Sequence, residues 1–268
     1  MLSAPTIQVF HENLRTLCDE LQQTLRASDH PALDRKVDLA VQALEELLFA
    51  QRFTLAQEKT LLKIDTIAEN MALTQEAYAY YENDVAKTIA QSIIEQKEHT
   101  LIFNHRNMNR KYYQAALEAH FTNMKAHTRV LAIGNGPLPL SPIVYSIKTG
   151  AKVTMVESTP KEQELAEQTI HALGLQKKIN FIPSQKITEQ ASKADVILLS
   201  ECISNKRKIL KELSSVVRPG TVMLCRTTHG LKAMLREHVS LTRLTDYTKI
   251  GMIHPSKNGI ESTAVLLR

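Results

Sequence analysis

A chain of 268 residues, 43% of them apolar, has room for one or two domains and enough hydrophobic mass to bury a core. Its formal charge of +5 is scattered among acids, with no cluster denser than the short run Lys206-Arg207-Lys208. A solvated helix face explains that pattern better than a nucleic-acid footprint, and anionic small substrates remain compatible with it.

Cys18, Cys202 and Cys225 are odd in number and far apart, so they build neither a disulfide framework nor a zinc motif and read as reduced thiols. No basic segment followed by an apolar one opens the chain, and no uninterrupted apolar run approaches membrane-spanning length. The expectation is a cytoplasmic protein that enters no membrane.

All eight glycines lie at or after Gly134, which marks a change of architecture near residue 125. Before it, Leu14, Leu17, Leu21 and Leu25 recur at spacings of three and four. Leu39, Val41, Leu44, Leu47 and Leu48 follow, then Leu55, Leu61, Leu62, Ile64 and Ile67. These are amphipathic helical stripes, and Ser28-Asp29-His30-Pro31 separates the first from the second. Residues 1–125 are therefore expected to form an α-helical domain, a lid or an interaction module, with an apolar face that could serve a homodimer.

Residues 126–268 alternate between strand and helix patterns. Strands are expected at Arg129–Ile133, Lys152–Glu157, Ile179–Ile182, Asp195–Ser200, Thr221–Arg226, between Tyr247 and Ile253, and at Ser262–Leu267. A helix over Lys161–Leu173 closes at Gly174, and another over Lys206–Val217 stops at Arg218-Pro219-Gly220. Regular βα alternation predicts a largely parallel, Rossmann-like α/β sheet. The last two strands lack a long helical connection and should pair antiparallel at its edge, the layout of class I methyltransferase-type domains.

The stretch from Arg129 to Glu157 carries the most chemistry. An apolar strand enters a turn holding Gly134 and Gly136, and a second strand ends on an acid, Glu157, 21 residues past Gly136. That order lets a doubly wound sheet hold a nucleoside: the glycines admit close approach, and the acid accepts hydrogen bonds from ribose hydroxyls. Gly136 is followed by Pro137-Leu138-Pro139-Leu140 instead of a third glycine. Two prolines remove the backbone donors a pyrophosphate needs. A nucleoside without phosphate fits better, and S-adenosylmethionine is the obvious ligand.

Several segments resemble a known family. Gly134-Asn135-Gly136-Pro137-Leu138-Pro139-Leu140-Ser141 is similar to the GSGPLPLT segment of nicotianamine synthases. Met223-Leu224-Cys225-Arg226-Thr227-Thr228-His229-Gly230 resembles the family's MLRSAHG, and Ile253-His254-Pro255 with the strand Thr263–Leu267 resembles its FHP segment and final strand. Tyr112-Tyr113 falls where that family has paired tyrosines. The order is preserved, while the early helices match only loosely. The short chain looks more like the bacterial branch that makes opine-type metallophores, the staphylopine group. That resemblance implies transfer of the 2-aminobutanoyl (3-amino-3-carboxypropyl) group of S-adenosylmethionine to the amine of D- or L-histidine, with release of methylthioadenosine. It also implies a hand-off to an opine dehydrogenase.

Such a reaction needs few kinds of group. The electrophile is already activated on a sulfonium, so the protein supplies position and proton control. Gly134, Asn135, Gly136, Leu138 and Glu157 are the candidates for the nucleoside, with Ser184 and Gln185 near adenine. Ser200 and Glu201, at the carboxyl edge after the fourth strand, could meet the amino group of the methionine arm. Arg226 and His229 are candidate partners of the acceptor. His254 reads as a structural hydrogen bonder.

Tyr112 or Tyr113 would face the reacting centre, or else pack helices on the sheet. For the acid near the substrate amine the resemblance points to a GEAEG segment, echoed by Gln75-Glu76-Ala77-Tyr78-Ala79 without its glycines. Glu76 is the first candidate, then Glu82, then Glu69. The histidines show no metal-ligand spacing, so no resident metal is expected. An ordinary small-molecule methyltransferase, a non-enzymatic binding module and a nucleic-acid modifying enzyme remain the alternative readings.

Overall fold

The computed structural model describes residues 4–50, 53–97, 99–157, 159–242, 244–254 and 259–268. Contacts divide the chain into two compact units, Met1–Val85 with Thr228–Glu237, and Ala86–Thr227 with His238–Arg268.

The first unit holds helices α1 (Ala4–Arg26), α2 (Arg35–Phe49), α3 (Leu55–Leu61) and most of α4 (Asp65–Gln96), with a 3₁₀ turn at Gly230–Met234. The helices start where the sequence offers caps. The Asp34 carboxylate accepts the Lys36 amide, and Thr54 with Gln57 forms a reciprocal capping box. Phe10, Leu14 and Leu21 of α1, and Val37, Val41 and Leu44 of α2, are buried as the helical stripes require. Leu39 departs from the expectation at 52% exposed, because the buried face of α2 runs through Val37, Val41, Leu44 and Leu48. The apolar series from Leu55 to Ile67 is not one helix: α3 ends at Leu61, and α4 begins at Asp65. Two buried tyrosines satisfy acids of α2, Tyr78 donating to Glu45 and Tyr81 to Asp38, each at 2.7 Å.

The second unit contains α5 (Arg106–Phe121) and then the alternating elements β1 (Arg129–Ile133), α6 (Leu140–Thr149), β2 (Lys152–Val156), α7 (Pro160–Ala172), β3 (Ile179–Phe181), α8 (Ile187–Ala191), β4 (Val196–Leu199), α9 (Lys206–Leu213), β5 (Val222–Thr227), β6 (Thr248–Ile253) and β7 (Ser262–Leu267). The described strands form one sheet in the order β3-β2-β1-β4-β5-β7-β6. Pairs among β1 to β5 are parallel, and β7 is antiparallel to both β5 and β6. This is the Rossmann-like, methyltransferase-type α/β sheet predicted above. The order reverses between β1 and β4, so a crevice opens at the carboxyl ends of those two strands.

Both faces of the central strands are covered, hence their unbroken apolar sequences. Leu131, Ile197, Met223 and Leu266 lie in one row across the sheet and pack with Leu210 and Leu213 of α9. The helix expected to reach Val217 ends at Leu213. The Ser214 and Ser215 hydroxyls bond the carbonyls of Lys211 and Glu212, competing with continuation of the helix. Among the described residues no helix is long and apolar enough to cross a membrane.

The turn after β1 carries two glycines with φ of +69° at Gly134 and +71° at Gly136. They differ in surroundings. A Cβ on Gly134 would stand 2.4 Å from Ile203 Cγ1, whereas one on Gly136 would meet nothing within 4 Å. Gly134→Ala should therefore cost about 1–3 kcal/mol, from overpacking added to left-handed strain. Thermal denaturation should show a lowered Tm that Ile203→Ala restores only in part. An unchanged Tm in Gly134→Ala would contradict the packing described.

Candidate functional site

Two constellations occupy the carboxyl edge of the sheet in the second unit. The first is built on the glycine turn. Glu157, the residue after β2, points its carboxylate at that turn. The Asn135 amide donates to it at 3.1 Å from each oxygen, and the Gly136 amide donates at 3.0 Å. Burial pushes the Glu157 carboxyl up to about 8, against the pull of those two amides. Asn135 Nδ2 is buried without a hydrogen-bond partner, and Leu138 is buried in the same turn.

These details decide what the turn can hold. Its Asn135 and Gly136 N–H groups are directed at Glu157, and Pro137 and Pro139 have none to offer. A phosphate would find little to bind. A carboxyl beside an unpartnered amide donor, with open space over Gly136, suits vicinal hydroxyls, which both donate and accept.

The second constellation is a buried ion network centred on Arg226 of β5, whose side chain is 2% exposed. Its Nε and Nη2 donate to the two oxygens of Glu118 on α5 at 2.9 and 2.7 Å, a bidentate pair. Nη2 also donates to Ser141 Oγ at 2.6 Å, and Nη1 donates to Glu201 at 2.7 Å. Glu118, fully buried, further accepts from the hydroxyls of Tyr145 on α6 and Thr263 on β7. Thr263 stands directly opposite Arg226 in the β5–β7 ladder, so sheet register delivers both donors to one carboxylate. Gln114 donates to Thr263 Oγ1 at 3.0 Å.

Glu201 lies just past β4, beside the crevice; the Ser200 amide donates to the Ile133 carbonyl at the end of β1. Its Oε2 accepts from Ser200 Oγ at 2.8 Å, and Lys111 of α5 lies 3.0 Å from its Oε1. Burial alone would raise the Glu201 carboxyl, but Lys111 and Arg226 reverse this and hold it well below the usual carboxylate range. Burial and the Glu118 charge push the Tyr145 phenol well above its ordinary value. Two carboxylates and two cations thus cancel inside the sheet edge.

The structure places the remaining candidates elsewhere. Ser184 and Gln185 are exposed on a 3₁₀ turn after β3. Tyr112 is half-buried with its ring 4.7 Å from that of Phe103, edge to face, and Lys148 Nζ is 5.5 Å from its centroid. Tyr113 is 63% exposed. His254 is exposed, with Nδ1 at 3.4 Å from Ser262 Oγ, and Pro255 lies outside the described residues.

In the first unit, Glu69 and Glu76 are exposed on α4, Glu82 is buried against Arg236 in an ion pair, and His229 is half-buried before the 3₁₀ turn. Gly134, Asn135, Gly136 and Glu157 are therefore brought together, as are Ser200, Glu201 and Arg226. Arg226, read above as a partner for the acceptor, makes its bonds to Glu118, Ser141 and Glu201. Glu118, Tyr145 and Lys111 were missed. The legible signal was Arg226 itself, a cation in an apolar strand that requires a carboxylate partner. Among the described residues no group of three or more His, Cys, Asp or Glu could hold a metal.

Comparison with known proteins places this geometry in context. The family model described as nicotianamine synthase protein matches residues 51–268. The chain is 30% identical over 118 residues to the L-histidine 2-aminobutanoyltransferase of Yersinia pestis, covering 44% of each chain. It is 25% identical over 146 residues to nicotianamine synthase 3 of Arabidopsis thaliana, covering 51% of this chain and 45% of that protein. These matches span less than half the length of either curated relative. The crystal structure of a glutamate-to-glutamine mutant of MtNAS in complex with S-adenosylmethionine superposes with a TM-score of 0.82 at 21% identity, covering 95% of this chain and 97% of that one.

Two stability measurements check the site. A carboxyl raised to about 8 keeps its proton in the folded protein while the unfolded chain loses it above about pH 4.5. The Glu157 contribution is then fully present below pH 4.5 and declines as pH rises towards 8. The Tm of the wild type should fall relative to that of Glu157→Gln between pH 5 and 8; a constant difference would mean the carboxyl is ionised throughout. Glu118→Gln leaves Arg226 undercompensated in a dry site and should cost about 3–5 kcal/mol in denaturant unfolding. Tyr145→Phe, which removes one hydroxyl, should cost roughly 1–2 kcal/mol.

Proposed function

This chain belongs to the nicotianamine synthase family, and from that premise we propose that it is an S-adenosylmethionine-dependent aminobutanoyltransferase. The acceptor we propose is the amine of histidine, in its D or L form, and the product a nicotianamine-like intermediate of an opine metallophore. The observation that carries the reading is the turn after β1. Its Asn135 and Gly136 amides face Glu157, its prolines bring no donors, and Asn135 Nδ2 remains to be satisfied. That cradle suits a ribose and not a pyrophosphate. The likeness to the Yersinia pestis L-histidine 2-aminobutanoyltransferase supports histidine as the acceptor.

S-adenosylmethionine supplies an electrophile already activated by its sulfonium. The acceptor amine, after losing a proton, attacks the methylene carbon of the aminobutyrate arm. A carbon–nitrogen bond forms, the carbon–sulfur bond breaks, and its electron pair stays on sulfur as methylthioadenosine leaves. The positive charge that sulfur held passes to the product nitrogen, a secondary ammonium, so charge balances; the proton the acceptor lost before attack goes to a base or to solvent.

In this assignment Gly134, Asn135, Gly136, Leu138 and Glu157 hold the nucleoside, with Ser184 and Gln185 on the adenine side. Ser200 and Glu201 serve the donor's amino-acid arm. Tyr112, Tyr113, Glu76 and Glu82 are the candidates for handling the amine's proton, with Glu76 first among the acids because Glu82 is already ion-paired with Arg236.

Mass spectrometry on the purified chain incubated with S-adenosylmethionine and each enantiomer of histidine tests the proposal. Methylthioadenosine should appear together with a histidine adduct heavier by roughly 101 Da, one aminobutyrate unit. S-adenosylhomocysteine with a methylated acceptor would instead establish a methyltransferase and overturn the assignment.

A further inference from the structure

Helix α5 is amphipathic in the inverted sense. Gln114, Ala115, Glu118 and Ala119 are buried, with Gln114 and Glu118 bonding inside the sheet unit, while Tyr113, Leu117 and Phe121 are 63%, 44% and 48% exposed. Those three recur at intervals of four and form one ridge on the helix. Between residues 113 and 121 no acid, lysine or arginine is exposed, and His120 is the one polar residue exposed there. The outer face of a surface helix ordinarily carries the charges. We propose that this ridge is where two copies of the chain join, through antiparallel α5 helices related by a two-fold axis at Leu117.

The spacing fits a second copy. Tyr113 and Phe121 stand four residues to either side of Leu117, so the axis sets Leu117 against its own counterpart and Tyr113 of each chain against Phe121 of the other. Each step is about 6 Å along the helix, and rows at this interval interdigitate when two helices pack. The ridge holds no charge for an oppositely charged partner to answer, and the axis brings no like charges together on it. With about 150–250 Å² to an aromatic side chain, the exposed parts of Tyr113 and Phe121 amount to roughly 200 Å², and Leu117 extends the patch. That suits the dry centre of an interface burying about 800 Å² on each partner, the ordinary size for a stable pair, where aromatic residues are enriched and charges depleted.

The ridge is also preformed. The Tyr113 ring packs edge to face with that of Tyr112 at 5.8 Å. Phe121 lies over Gly251 of β6, where a Cβ would stand 2.6 Å from the ring. The missing side chain seats the ring, so less freedom is lost on association. The edge strand β6 is itself poorly suited to strand addition, since Lys249 is exposed and the ladder with β7 shifts register between Lys249 and Gly251. In this assignment Tyr113 belongs to the contact and leaves Tyr112 as the tyrosine of the pair available to the reaction. The contact itself does not rest on the reaction proposed above.

Sedimentation equilibrium of the full chain tests it. At micromolar concentration the wild type should sediment as twice 30.2 kDa. Leu117→Glu places two carboxylates at the axis and should raise the dimer Kd by about 100-fold or more. Mixed one to one with Leu117→Lys, it should recover the dimer, a rescue that a misfolded variant would not give. Ile147→Glu, on the exposed side of α6, should leave the dimer as tight as before. A wild type that stays at 30.2 kDa leaves the ridge to a different partner and overturns the self-contact. A dimer that Leu117→Glu does not weaken, or that Ile147→Glu weakens equally, joins through another face and overturns it as well.

Discussion

The organisation of the sheet unit depends on one buried charge. Arg226 sits in a strand whose neighbours are Leu224, Cys225 and Thr227, and a guanidinium there is tolerable only if anions meet it. Glu118 meets it in a bidentate pair, and Glu201 takes a further N–H. Tyr145, Thr263 and Ser141 fill the remaining lone pairs and donors. A fully satisfied network of this kind adds little net stability over a hydrophobic core, but it specifies geometry, since every member has one place where its partners are found. It ties α5 and α6 to β5 and β7 and sets the carboxylate of Glu201 at the mouth of the strand reversal.

The glycine turn answers a different constraint. Its backbone amides would normally make an anion site, and here Glu157 already occupies them. A carboxyl so buried costs free energy to ionise, which is why its pKa rises in spite of two donors. The result is a cradle biased towards neutral hydroxyls, next to a network in which Glu118 and Glu201 balance Arg226 and Lys111. The two constellations thus stand apart along the same sheet edge, one built around a carboxyl and the other around paired charges.

Much of this was legible in the residues. The strands from Arg129 to Leu199 emerge from apolar runs bounded by glycine and proline, because a strand covered on both faces must be apolar throughout. The antiparallel end followed from the short connection before Ser262–Leu267, although β7 inserts between β5 and β6 and leaves β6 at the edge. That Gly134, Gly136 and Glu157 come to one edge of the sheet was readable from spacing; that the Asn135 and Gly136 amides close on the Glu157 carboxyl was not. Lys111, Gln114 and Glu118 were not. They recur on α5 at the interval of an apolar stripe, yet polar residues at that interval read as a solvated face until burial shows otherwise.

By itself, then, the sequence determined the class of fold, the place of the glycine turn and the family, because these rest on periodicity, glycine placement and local motifs that span a few tens of residues. The tertiary structure decided which charges face one another. Glu118 and Arg226 are 108 positions apart, and Gln114 and Thr263 are 149. Only the register of β5 against β7, together with the packing of α5 on the sheet, brings them within hydrogen-bonding distance. The affinity of one charge for another depends on that distance and on the exclusion of water, and neither can be read from order along the chain.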